Sequence, residues 1–114
     1  MSARRVSAEL LGSAPVFAAL GDETRLRLVA RLCEGEPLSI TQLASGAGVT
    51  RQAITKHLHV LAGAGLIRGS RQGRERHWQL EARRLLEARR CLDLISRQWD
   101  TALDRLKASL EGGS

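Results

Sequence analysis

The stretch SITQLASGAGVTRQAITKHLHVLAGA, residues 39–64, decides how this chain folds. Ser39 is followed three residues later by Gln42, which is the spacing of a helix capping box, so a helix of about two turns is predicted there. The glycine-containing run of residues 46–49 breaks that helix, and Thr50 is a good N-cap for a second one. Two short helices joined by such a turn predict a helix–turn–helix motif.

The second of these helices, predicted over residues 51–64, has an apolar and a polar face. Ile54, Leu58 and Leu61 recur at helical spacing on the inward side. His57 lies between them, and we expect a partly buried imidazole whose hydrogen bonds are satisfied. The outward face consists of side chains that can donate hydrogen bonds, with no acidic residue among them: Arg51, Gln52, Thr55, Lys56 and His59.

Side chains of this kind suit the major groove of double-stranded DNA. Arg pairs well with guanine and Gln with adenine, and the N-terminal end of such a helix, here with its Thr50 cap, enters the groove. A plain surface helix usually mixes Glu with its Lys and Arg. The acid-free face therefore predicts contact with DNA, and we name residues 51–64 the recognition helix. Gly65 is placed for the left-handed turn that ends it.

A basic β-hairpin is predicted directly after the recognition helix. Residues 66–71 and 76–80 are strand candidates, and a turn with glycine joins them. We expect the tip to lie along a phosphate strand or to reach into the minor groove, which positions a domain more than it specifies a sequence. The residues expected to make these contacts are Arg71, Gln72, Gly73, Arg74 and Arg76.

The positive charge of the chain is concentrated in this region. Lys plus Arg total 18 and Asp plus Glu total 12, a formal net charge of +6. Residues 51–76 hold six cations against Glu75 alone, whereas residues 1–50 are neutral overall and residues 77–114 carry +1. Concentrated Arg favours an anion-binding face, because its planar fork donates two parallel hydrogen bonds to phosphate. On charge alone, a solvated basic surface is the alternative.

Two helices are predicted on the N-terminal side of the motif. Ser13 and Pro15 suit the first turn of a helix over residues 13–20. Asp22 is a good N-cap for the next helix, over residues 23–34. The inward stripe of that second helix is predicted as Leu26, Val29, Ala30 and Cys33.

A long helix is predicted at the C-terminal end. No Gly or Pro interrupts residues 82–110, which would make about 43 Å of helix. Apolar residues recur about every 3.5 positions along it, and a small domain cannot cover so long a stripe by itself. The excess apolar surface predicts contact with a second copy of the chain. The residues expected at that contact are Leu92, Ile95, Trp99, Leu103 and Leu106.

Length and composition exclude several classes of protein. The 114 residues make one domain, in which residues 1–12 and 111–114 are expected to be flexible. Aromatic residues, at 3%, are too few for stacking single strands, and no apolar run approaches the roughly 18 residues of a membrane span. Cys33 and Cys91 are too few for a disulfide scaffold, so a reducing cytoplasm is expected. No nucleophile has a visible base partner, so we expect no enzyme.

The order of these segments resembles the ArsR/SmtB family of bacterial winged-helix repressors. The matching stretches are FAALGDETRL at residues 17–26, VTRQAITKHL at 49–58, GLI at 65–67 and GRER at 73–76. The resemblance spans about residues 14–110, in order and with few gaps.

The resemblance implies a mainly α winged helix–turn–helix fold with a two-stranded hairpin wing and a long C-terminal dimerisation helix. In this chain the motif would be residues 39–64, the wing 66–80, and the dimerisation helices 13–20 and 82–110. It also implies a homodimer with Phe17 at its interface, a pseudo-palindromic double-stranded DNA operator, and repression relieved by a signal. We further expect Ser39 and Thr41, on the first helix of the motif, to contact the DNA backbone.

The chain departs from the metal-sensing members of that family. Those carry a Cys-x-Cys pattern after a Leu, whereas Leu38 is followed here by hydroxyl groups at Ser39 and Thr41, which are poor ligands for soft metals. Other members use Asp and His on the last helix, and residues 82–110 hold no His. We expect no metal and no cofactor, and the inducer stays unidentified.

Two alternatives stay open. Some relatives sense oxidants or sulfide through one cysteine on the second helix and one on the last, which is where Cys33 and Cys91 fall; packing in the core is the other interpretation of these thiols. The second alternative is a winged-helix module that binds another protein. Salt separates it from a DNA binder, because counterion release makes DNA affinity fall steeply as salt rises.

Overall fold

The computed structural model describes the backbone of residues 3–112, and the side chains of residue 5 and residues 7–112. Its elements in chain order are α1 (Ala3–Gly12), α2 (Ala14–Leu20), α3 (Glu23–Leu32), β1 (Leu38–Ser39), α4 (Ile40–Ala44), α5 (Arg51–Gly63), β2 (Ile67–Gln72), β3 (Glu75–Leu80) and α6 (Ala82–Gly112). The fold is mainly helical with a small antiparallel wing and a long last helix, as the sequence predicts.

The helix–turn–helix is α4, α5 and the turn between them. Ser39 and Gln42 form the predicted capping box, in which the Gln42 N–H donates to Ser39 Oγ at 3.2 Å and the Ser39 N–H donates to Gln42 Oε1 at 2.9 Å. Gly46 and Gly48 both have positive φ, at 72° and 73°, a conformation that side chains with a Cβ disfavour. These two glycines therefore fix the sharp change of direction between the helices.

The recognition helix α5 is fixed at both ends. Thr50 Oγ1 accepts a hydrogen bond from the Ala53 N–H at 3.1 Å, which satisfies one free donor of the first turn. At the other end Gly65 takes a left-handed φ of 77° and the Leu66 N–H donates to Leu61 O at 3.0 Å. This is a Schellman motif, and it turns the chain directly into β2.

The hydrophobic core is centred on α5, which packs against α2, α3, α4 and β2. Ile54, Leu58 and Leu61 are fully buried, as predicted, and His57 beside them is partly buried. Other elements complete this core with Val16, Ala19, Leu28, Val29, Leu32, Leu43, Leu66, Ile67, Trp78 and Ala88.

The inward stripe predicted for α3 is wrong at three of its four positions. Leu26 is 51% exposed, and Ala30 and Cys33 are also exposed. The core instead receives Leu28, Val29 and Leu32. Two apolar stripes of this helix share Val29, one with Leu26, Ala30 and Cys33 and the other with Leu28 and Leu32. Packing against the rest of the domain buries the second stripe.

The sheet has the order β1–β3–β2, and all its pairs are antiparallel. β2 and β3 form the predicted hairpin, closed by Gln72 opposite Glu75 and a two-residue loop in which Gly73 has φ 66°. The third strand was not predicted. Leu38 and Ser39 pair with Trp78 and His77, but two residues are too short to produce an alternating pattern in the sequence.

The N-terminal segment contains a helix that was not predicted from the sequence. Ala3–Gly12 forms α1, which packs against α6, where Arg90 lies 3.3 Å from Glu9. Ser13 also differs, because its side chain makes no capping hydrogen bond; Ser13 Oγ instead accepts from Cys91 Sγ at 3.0 Å. The chain continues from α1 into α2 with helical backbone angles at Ser13, so its hydroxyl is not aimed at the first turn. Residues 1–2 and 113–114 lie outside the described residues.

Helix α6 is packed on the domain only along its first half. Ala88, Cys91 and Leu94 are buried, whereas residues 96–112 are all exposed. The described part of the chain is therefore elongated, with a longest dimension of 70 Å. Among residues 3–112 no helix combines the length and apolar character needed to cross a membrane.

Candidate nucleic-acid interface

The outward face of α5 is presented to solvent as the sequence predicts. Arg51, Gln52, Lys56 and His59 are exposed. Thr55 is half-buried, and its hydroxyl donates to Arg51 O at 2.9 Å, so this proton is already engaged within the helix. Thr50 Oγ1 accepts the Ala53 N–H in its cap and keeps its own hydroxyl proton, so Thr50 joins the four long side chains as a free donor of this surface.

The cations of this surface lack partners, unlike most others described. We use the name basic face for Arg51, Lys56, Arg71 and Arg74, none of which makes a side-chain hydrogen bond or ion pair with any residue the structure describes. By contrast, the cations with a carboxylate partner include Arg27 with Glu23, Arg84 with Glu87 and Arg90 with Glu9. Four unneutralised cations on the recognition helix and the hairpin make the basic face a ready surface for anions.

The hairpin is tied to the recognition helix through Trp78. The Arg76 guanidinium lies over the indole ring, 4.9 Å from its centroid. The same ring lies 6.4 Å from the imidazole of His59 on α5. Gly69, directly opposite Trp78 in the sheet, leaves the space that Arg76 crosses, because a Cβ there would collide with the Arg76 side chain.

The two residues expected to contact the DNA backbone from the start of α4 differ in exposure. Ser39 is only 4% exposed, and its hydroxyl oxygen is committed to the capping box of α4. Ser39 nevertheless lines the small cleft between the start of α4, α5 and the hairpin, so its contact with the DNA backbone stays a prediction. Thr41, two residues further on, is exposed, and its contact with the DNA backbone also stays a prediction.

A polar cluster beneath α5 was missed by sequence reasoning. Arg25 Nε donates to Ala19 O at 2.6 Å, and its Nη1 lies 3.3 Å from His57 Nδ1. Asp22 Oδ2 lies 3.8 Å from that same nitrogen and accepts the Arg25 N–H at 3.0 Å. This backbone hydrogen bond, helped by the positive charge of Arg25, lowers the pKa of Asp22. The cluster connects the α2–α3 junction to the inner side of the recognition helix.

An exposed apolar stripe runs along α6 from Leu92 to Leu106. Leu92, Trp99, Leu103 and Leu106 are between 53% and 65% exposed, and Ile95 beside them is half-buried. These five residues, which we call the apolar stripe, are the set that the sequence assigns to contact with a second copy. Phe17 is half-buried and packs against the core of its own chain.

The two cysteines differ in setting, and only Cys33 departs from the core packing considered for both. Cys33 is exposed beyond the end of α3, whereas Cys91 is buried with its thiol donating to Ser13 Oγ. Among the described residues no group of three or more His, Cys, Asp or Glu side chains could hold a metal ion.

Comparisons with known proteins agree with this geometry. A profile described as a helix-turn-helix domain matches residues 20–70. The HTH-type transcriptional regulator Rv2034 of Mycobacterium tuberculosis is 40% identical over 85 residues, which are 75% of this chain and 76% of that protein. An ArsR-like transcriptional regulator from Rhodococcus sp. RHA1 superposes with a TM-score of 0.72 at 38% identity, covering 89% of this chain and 92% of the other.

A third similar structure comes from Mycobacterium bovis. It is the homodimeric winged helix-turn-helix DNA-binding domain of a possible ArsR-family transcriptional regulator, with a TM-score of 0.61 and 25% identity over 92% of this chain and 93% of that one. The fold and these similarities define a winged helix-turn-helix DNA-binding regulator of transcription. Within that class the chain belongs to the ArsR family. Members of such a family regulate transcription and are not enzymes, as the sequence predicts.

Proposed function

We propose that this protein is a homodimeric repressor that binds a pseudo-palindromic operator. In each half-site α5 lies in the major groove, with Gln52, Lys56 and His59 facing base edges and the hairpin lying along the flanking backbone. Repression is the direction of regulation that the family resemblance implies, since a bound dimer excludes other proteins from a promoter. The regulator then acts in the cytoplasm, where the DNA of a bacterium lies.

The observation that carries this proposal is the unpaired basic face. Arg51 and Lys56 on α5, and Arg71 and Arg74 on the hairpin, have no partner among the described residues. Clustered cations repel one another, so a protein keeps them unpaired where a polyanion will neutralise them. The basic face offers no apolar match to a largely apolar protein partner, so that form of the protein-binding alternative lacks such support.

The homodimer is supported by the apolar stripe. Solvent-exposed Leu and Trp side chains on one helix favour association, and two copies of one stripe match by two-fold symmetry. The similar domain from Mycobacterium bovis is described as homodimeric. Two-fold symmetry places the two recognition helices about 10 base pairs apart, which is why the operator is expected to be palindromic.

The thiol-based alternative receives no such support. A sensing thiol needs an accessible, electropositive setting. Cys91 is 3% exposed and hydrogen-bonded to Ser13. Cys33 is exposed, but no second thiol is exposed with it among the described residues.

Selection of bound duplexes from a random pool tests the proposal. The expected result is an enriched inverted repeat with half-site centres about 10 base pairs apart. The enriched site should also block transcription in vitro when placed over a promoter. Enrichment of a single asymmetric site would contradict the dimer geometry, and enrichment of no site would contradict specific DNA binding.

A further inference from the structure

A small cleft lies where the recognition helix, the start of α4 and the hairpin meet. Its volume is about 150 Å³, and its walls carry three arginines, from two different elements of the fold. Arg51 comes from the first position of α5, and Arg74 and Arg76 come from the hairpin. Thr41 adds an exposed hydroxyl group from α4.

The electrostatics of the cleft are unbalanced in the free protein. Glu75 is the one acidic residue in its lining, against three guanidinium groups. The Glu75 carboxylate lies 3.6 Å from His77 Nε2, and neither Arg51 nor Arg74 has a partner among the described residues. Arg76 also lines the cleft, and its guanidinium lies over the Trp78 ring. Two formal positive charges remain for an anion to neutralise.

We infer that one phosphate of the DNA backbone occupies this cleft, clamped between Arg51 and the hairpin arginines. The inference rests on the proposed DNA binding and assigns a role within it. A backbone phosphodiester has two free oxygens, which match the paired N–H groups of guanidinium forks. The cleft is closed on one side by the hairpin, so an Arg51 side chain turned into it does not lie against base edges.

The clamp changes the role of Arg51. The sequence favours Arg51 as a guanine reader, whereas its place in the cleft makes it a positioning residue for the backbone. The clamped phosphate then joins the recognition helix and the hairpin through one ligand. Base readout is left to Gln52 and to the residues one turn further along α5.

Single methylphosphonate substitutions in the selected duplex test the clamp, because each removes one phosphate charge. The protein is compared as the full chain with its Arg51→Ala and Arg74→Ala variants. Arg71→Ala is the matched control, since Arg71 is exposed and unpaired but does not line the cleft. Circular dichroism establishes that each variant is folded.

The expected result is one position in each half-site where the neutral linkage weakens wild-type binding about three- to tenfold. That effect disappears in Arg51→Ala and in Arg74→Ala and persists in Arg71→Ala. Arg51→Ala also lowers the slope of log affinity against log salt by about one and weakens all sequences alike. Glu75→Gln binds more tightly, because it removes the carboxylate that faces the phosphate.

Two outcomes would overturn the clamp and leave the proposed function standing. If Arg51→Ala relaxes the choice of one base pair while every methylphosphonate effect persists, Arg51 is a base reader and the cleft holds no phosphate. If the effects of Arg51→Ala and Arg74→Ala fall on different phosphates, the two residues do not share a ligand. If the wild-type protein fails to bind the duplex, the proposed function and the clamp are both wrong.

Discussion

The guanidinium of Arg76 lies 4.9 Å from the centre of the Trp78 ring. A cation held over an aromatic face in this way gains about 0.5–1 kcal/mol at an exposed site. Trp78 is 2% exposed and anchored in the middle strand of the sheet. The contact therefore anchors Arg76 to the core of the domain.

Gly69→Ala tests that contact. The added methyl group displaces Arg76 from the ring, because it would occupy the path of the Arg76 side chain across the sheet. We expect affinity for all duplexes to fall by about one phosphate contact, roughly three- to tenfold. Thermal stability should fall slightly as well, because the contact with the ring is lost and the added methyl group lies close to Trp78. Gly12→Ala is the matched control, since a Cβ at Gly12 meets nothing within 4 Å. Equal binding by both variants would show that the position of Arg76 is unimportant.

Gln52→Ala tests base readout by α5. The side chain is exposed near the N-terminal end of the helix, and its amide can bind adenine through two hydrogen bonds. We expect a loss of about 1–3 kcal/mol in specific binding and relaxed choice at one base pair per half-site. Fluorescence anisotropy with the selected duplex and its single-base variants measures both. Gln98→Ala, at an exposed Gln on α6, is the control and should change neither affinity nor base preference. If Gln52→Ala keeps the base preference of the wild-type protein, Gln52 takes no part in reading the bases.

Trp99→Asp tests the apolar stripe. Trp99 is 65% exposed, and a carboxylate there would be buried without a partner between two copies of α6. Light scattering should report a dimer for the wild-type protein and a monomer for the variant. Leu86→Asp is the matched control, because Leu86 is 62% exposed on the same helix but lies about 140° away around its axis. A dimeric Trp99→Asp would move the interface away from the stripe.

Asp22→Asn tests the cap of α3 through its pH dependence. The Arg25 N–H and the Arg25 charge hold the pKa of Asp22 below its ordinary value of 3.8. The ionised carboxylate therefore stabilises the fold above that value, and this contribution is lost as pH falls through the lowered pKa. Thermal melts should find the wild-type protein more stable than Asp22→Asn at pH 7, with the difference closing below pH 4. A difference that stays constant down to pH 2 would mean that the charge of Asp22 contributes nothing.

Much of the fold could be predicted because its local signals are stereochemical. The capping box of Ser39 and Gln42, the N-caps Thr50 and Asp22, and the left-handed turn at Gly65 each depend on a few neighbouring residues. Such signals do not require knowledge of the rest of the molecule. The burial of the inner face of α5 followed in the same way from helical periodicity.

What could not be predicted depends on contacts distant in sequence. The choice between two overlapping stripes on α3 was made by packing, and Ser13 hydrogen-bonds to Cys91, 78 positions along the chain. The candidate interface could likewise be predicted only in part. Its exposed donors follow from the sequence, whereas the cleft that brings Arg51 to Arg74 appears only once the hairpin folds back beside α5.

The salt dependence of binding to the selected duplex tests the central claim most directly. If the basic face neutralises DNA phosphates, log affinity falls linearly with log salt, with a slope of about −0.9 for each phosphate contacted. Across a dimer this amounts to several orders of magnitude between low and moderate salt. An affinity that hardly changes over the same range would contradict the account, because the unpaired cations would then have no part in binding.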